Sequence, residues 1–294
     1  GLSRSGVVLG LSIAGAALLS GGIIALGPIG GVSALTVPVL VAMAIGVAGL
    51  IAVALAMTED RPARGLVALT ASVRGVPAAI GGALRLARRS RIIAALVTVE
   101  LFWGFGMTTF ETLMPVRLSE VIGDADDAAA LMGPVGSAGW VASAAGAALI
   151  PLLARRIGAP WTGFTLRIAQ GVTVVGMALA AGPAGVVAAF LLCYAVHGAA
   201  NPVHVGMLHR QVDGPYRASV LSLNSMVGQP GSALGLVVLT AVAAHAGTGA
   251  AMLVGAAVLA AAAPLYLVGR RSTSVTQSDD MIVHGGVSTE PSAG

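Results

Sequence analysis

The chain has 294 residues, 56% hydrophobic and 10% charged, with a mean hydropathy of +0.92. A soluble domain carries about 25% charged residues, so the composition excludes an ordinary soluble globule and points to a polytopic membrane protein. The net charge of +4 rests on sixteen Arg and no Lys; because the Arg cluster in short loops, as topology signals do, nucleic acid is set aside as a partner.

The fold class expected is all-α: a polytopic transmembrane helical bundle of about eight spans. Read in chain order they cover 7–28, 32–57, 92–115, 130–153, 161–181, 185–208, 219–245 and 249–268. Each is long enough to cross about 30 Å of hydrocarbon at about 1.5 Å per residue. Gly/Pro turns separate several of them: "GPIGG" at 27–31, "AGPAG" at 181–185 and "AGTG" at 246–249. The runs are too long, and too little alternating, for barrel strands.

Arg4 precedes the first span. Seven Arg lie in 58–91, Arg155 and Arg156 follow the fourth span, Arg210 and Arg217 the sixth, and Arg270 and Arg271 the eighth. An eight-span zigzag puts all of these on one side, which the positive-inside rule makes the cytoplasm. The chain is thus expected in the cell membrane as a multi-pass protein, surrounded by lipid bilayer, with both ends cytoplasmic. The opposite side receives Arg117, Glu120, Asp124, Asp126 and Asp127. The segment 58–91 contains an amphipathic stretch suited to the inner membrane surface. The polar end, 272–294, reads as a disordered tail. The chain begins with Gly and has no cleavable signal pattern, so a processed chain or a fragment is expected. The lone Cys193 cannot form an internal disulfide.

A weak repeat links "RSGVVLGL", opening span one, to "RASVLSLN", opening span seven. Similar hairpins at corresponding places suggest two parallel halves, as in transporters built from repeats. Four further stretches add to this: "MTEDRP", "FETLMPVRL", "LLARRIGAP" and "YRASVLSLNSMVGQPGSALG". With them the chain resembles the major facilitator superfamily, in particular its drug- and sugar-efflux members, over roughly 1–271. The resemblance implies that the spans correspond to helices five to twelve of twelve. Residues 1–57 would then be the last two helices of the N-terminal bundle, 58–91 the interdomain loop and 92–271 the C-terminal six-helix bundle. Spans two and eight, almost free of polar side chains, read as peripheral, lipid-facing helices.

Candidate chemistry lies at polar positions inside the spans. Glu100 and Glu111 are eleven residues apart, close to three turns, and share a face with Trp103 and Met107. A charge at mid-membrane costs about 2.5–3.5 kcal/mol. Both carboxylates are therefore candidates for proton coupling or cation binding, with a structural ion pair or a solvated helix end as the plainer alternative. Span six carries Tyr194, His197, Asn201 and His204 on one face, and span seven carries Ser222, Ser225 and Gln229, with Asn224 off that face. These side chains either line a substrate cavity or hydrogen-bond helix to helix. Trp103, Trp140 and Tyr194 would supply its aromatic surface. Arg167, near the start of span five, is expected to snorkel to the interface, with pairing to Glu100 as the alternative. The sequence carries no Walker loop, dinucleotide fingerprint or metal-ligand spacing, so no cofactor and no metal are expected.

The function expected is a secondary-active permease rather than an enzyme, exporting a small organic or amphipathic molecule against protons or another coupling ion by alternating access. The alternatives are an uptake permease, a truncated fragment that does not transport, and an intramembrane enzyme.

Overall fold

The structure, a computed structural model, describes residues 2–26, 28, 30–33, 36–56, 70, 77, 81, 85, 88–212 and 217–268. Most of the expected amphipathic segment in 58–91, and the tail at 272–294, lie outside the described residues. Among the described residues the regular elements are all helical: α1 (Leu2–Ala25), α2 (Thr36–Ala56), α3 (Arg91–Glu111), α4 (Leu113–Ile122), α5 (Ala125–Ile157), α6 (Ala159–Leu179), α7 (Pro183–Gln211), α8 (Arg217–Ala246) and α9 (Thr248–Ala261), closed by a 3-10 turn (Ala263–Leu267). Among the described residues, seven helical stretches are long and apolar enough to cross a membrane, with α3 and α4 counted as one, and α1 adds a shorter apolar run, Val7–Ile23. Large apolar side chains such as Leu19, Ile45 and Leu55 stand outward, as on a surface that faces lipid. The chain is a multi-pass membrane protein.

Proline and glycine set the boundaries. Pro115 has no N–H and its ring crowds the carbonyl four residues back, that of Glu111; there the third span breaks into α3 and α4 at Thr112. The stretch 116–129, expected as a loop, is helical except for Gly123 and Asp124. Helices α5 and α6 are joined by Gly158 alone, at φ 79°, and α8 and α9 by Gly247 alone, at φ 90°. A one-residue reversal needs this left-handed backbone, which glycine adopts without a Cβ clash. Pro264 ends α9 and tightens the chain into the 3-10 turn.

Small residues then decide which helices meet. The heaviest packing is α3 on α8, α5 on α7 and α1 on α5. At the first contact, Cβ atoms on Gly231 and Gly235 would run into the Leu101 and Phe105 carbonyls; at the second, Gly146 faces the Ala195 carbonyl and Gly198 that of Ser143. In lipid, close backbone approach of this kind replaces the hydrophobic drive. Helix α2 touches α1 and has no buried residue, which fits a peripheral, lipid-facing helix. The same expectation for span eight is corrected: α9 buries Ala251, Met252, Gly255, Ala256 and Leu259 against α6, α3 and α8. Its lack of polar groups reflects burial in protein on one face as well as contact with lipid.

Two apolar clusters fill the bundle. One gathers Phe110, Met114, Met177, Phe190 and Leu239. The other gathers Ile93, Leu96, Leu166, Leu208 and Val220. Where one gives way to the other along α3, α6, α7 and α8, the side chains turn polar.

Candidate functional site

Glu100 sits nine residues into α3, about 13 Å along its axis. Its side chain is 16% exposed and comes within 3.5 Å of Nε2 of His204, which is 2% exposed. Nε2 also lies 3.0 Å from Oδ1 of Asn224, and Nδ1 lies 3.0 Å from the Tyr266 hydroxyl. Oδ1 only accepts, so Nε2 carries the ring proton and Nδ1 accepts from the Tyr266 O–H. Asn224 also stands beside the Glu100 side chain, and the Arg167 guanidinium beside the Tyr266 oxygen. Arg167 Nη1 donates to Gln170 Oε1 at 2.7 Å. The result is one buried polar chain, Gln170–Arg167–Tyr266–His204–Asn224–Glu100, drawn from α3, α6, α7, α8 and the 3-10 turn.

This chain forms one wall of a cavity of about 270 Å³. Glu100, Arg167, His204 and Asn224 line it, and Trp103, His197, Asn201 and Ser225 complete its polar and aromatic surface. The Trp103 and His197 rings stack at 5.6 Å, 16° from parallel. Asn201 and Ser225 are exposed, so the cavity communicates with the outside of the bundle.

Comparison with protein-family models finds no match for this chain, and comparison with curated proteins finds none either.

The structure thus gathers Glu100, Trp103, Arg167, His197, Asn201, His204 and Ser225 at one cavity. It puts others elsewhere. Tyr194 donates its hydroxyl to Glu111 Oε1 at 2.6 Å and packs edge-on against Trp140 at 5.5 Å. These three form a cluster that adjoins the cavity through the Tyr194 ring, 5.9 Å from that of His197, while Glu111 lies about 16 Å of helix beyond Glu100. Met107 is half-buried against the first apolar cluster. Gln229 is exposed and is not among the residues lining the cavity.

Arg167 corrects the snorkelling expectation: it is 2% exposed, held by Gln170 one turn further into α6 rather than reaching back to the helix start. Its charge acts through space on Glu100. Asn224, placed off the functional face of span seven by sequence, is buried at the centre of the chain, because α3 and α8 approach so closely that residues on both sides of the contact reach the cavity. Gln170 and Tyr266 were missed altogether. Gln170 had a signal, its i,i+3 spacing from Arg167; a tyrosine two residues after Pro264 had none without the fold. Among the described residues no three His, Cys, Asp or Glu side chains converge as a metal site would require.

Proposed function

We propose that this protein is a secondary-active permease of major-facilitator type, exporting a small organic molecule and coupling that movement to a proton at Glu100. The observation that carries the reading is a carboxylate held deep in an apolar bundle, beside a cavity and within reach of His204 and Asn224 from two other helices. Ionisable groups at such depth mark ion and substrate pathways. A carboxylate beside neutral donors, with a guanidinium acting on it through space, can be held with or without its proton, as alternating access requires. The superfamily part of this reading rests on the sequence resemblance over roughly 1–271. The Arg-rich ends are proposed to face the cytoplasm and the Arg117–Asp127 end the exterior.

The test uses protein reconstituted into vesicles loaded with the pH-sensitive dye pyranine. Aromatic acids, amines and neutral compounds are presented one at a time. A permease gives compound-dependent proton flux that empty vesicles lack. Glu100→Gln should abolish that flux while counterflow exchange of the same compound persists. Flux that survives in Glu100→Gln moves the coupling site elsewhere. Absence of both flux and counterflow across the whole panel defeats the permease reading.

A further inference from the structure

The polar chain accounts for every member except at one end. Among the described residues, Arg167 Nε and Gln170 Nε2 have no hydrogen-bond partner, nor has His197 Nδ1. Arg167 and His197 both line the cavity. A guanidinium has five N–H donors; one on Nη1 is engaged by Gln170, and the Nε donor is idle on a residue only 2% exposed. An idle donor on a buried cation is costly. The carboxylate of Glu100 does not relieve it by contact, because its near partners are His204 and Asn224.

We propose that the Arg167 end of this cavity is a subsite for a carboxylate, and that the compound carried is a small aromatic or planar organic acid. This deepens the permease reading and takes its cavity from it. The acid's oxygens accept from the part of the guanidinium that lines the cavity, whose planar fork is the geometry in which arginine binds carboxylates most strongly. Its ring lies against the stacked Trp103–His197 pair. Asn201 and Ser225 stand at the exposed margin of the same cavity. The volume of about 270 Å³ is just below the range of about 300–1,000 Å³ usual for small-molecule sites, which favours a single-ring acid over a large amphiphile.

Binding is read from Trp103 fluorescence in purified protein carrying Trp140→Phe and Trp161→Phe, so that the cavity tryptophan is the sole emitter. The probes are benzoate, benzyl alcohol and benzylamine, which share a ring and differ in the charged group. Benzoate should change the emission saturably and bind at least about tenfold tighter than benzyl alcohol, the worth of a charge-assisted hydrogen bond. Arg167→Gln should reduce benzoate to the level of the alcohol. If that variant does not fold, the three-probe comparison on the parent protein still decides. Equal affinity for benzoate and benzyl alcohol, or a preference for benzylamine, overturns the subsite. Benzoate preference without any transport in vesicles would keep the subsite and remove the permease; flux of amines or neutral compounds without benzoate preference would do the reverse.

Discussion

Replacing Gly146 by Ala tests the close helix approach on which the site depends. Gly146 lies on α5 where it meets α7, and its new Cβ would fall on the Ala195 carbonyl, closer than real Cβ atoms come. Overpacking in a core costs about 1–3 kcal/mol when side chains can adjust. Here the opposing group is backbone in the middle of a helix, with no rotamer to change, so the upper figure of about 3 kcal/mol applies. Alanine returns up to about 1 kcal/mol as the better helix former. The net expectation is a loss of about 2 kcal/mol. Gly49→Ala on α2 is the comparison, because nothing lies within 4 Å of a Cβ there; it should be neutral or slightly stabilising. The assay is reversible unfolding by SDS in mixed micelles, followed by circular dichroism. Helix α7 also carries His197 and His204, so Gly146→Ala should weaken any ligand bound in the cavity. A Gly146→Ala protein within about 0.5 kcal/mol of Gly49→Ala, the scatter of ordinary surface changes, would refute the close-contact account of α5 and α7.

Two further outcomes are expected. Tyr266→Phe removes the hydroxyl that links Arg167 to His204 and leaves buried polar groups unpaired, so unfolding in the same assay should show a loss of about 1–3 kcal/mol; an unchanged midpoint would mean that the hydroxyl contributes nothing net to the chain. The one native cysteine, Cys193, is buried, which leaves a quiet background for labelling: Asp124→Cys should react with an impermeant maleimide from outside intact cells, and Arg88→Cys only after permeabilisation, whereas the reverse pattern inverts the proposed orientation.

The sequence by itself determined that the chain is built from about seven or eight apolar helices and the order in which they come, but not where each one ends. Each apolar run is its own signal, since in lipid every backbone group must be satisfied within the helix. It also marked the "AGTG" turn in which Gly247 reverses the chain, because glycine acts locally, whereas the reversal at Gly158 and the break before Pro115 came only with the structure. Glu100, His197 and His204 stood out for the same reason: a polar group in an apolar run is visible without a partner. What only the tertiary structure decided was which polar groups share a space. The helical face of Asn224, the depth of Arg167 and the involvement of Tyr266 depend on how closely α3 meets α8 and on where the 3-10 turn after Pro264 swings the chain. That Tyr194 and Glu111 pair just beyond the cavity rather than in its lining depends on which turn of α7 lies opposite which turn of α3. Those registers are fixed by glycine contacts between segments far apart in the chain, such as Gly231 with Leu101 and Gly146 with Ala195, and one helix's periodicity carries no information about its neighbour's.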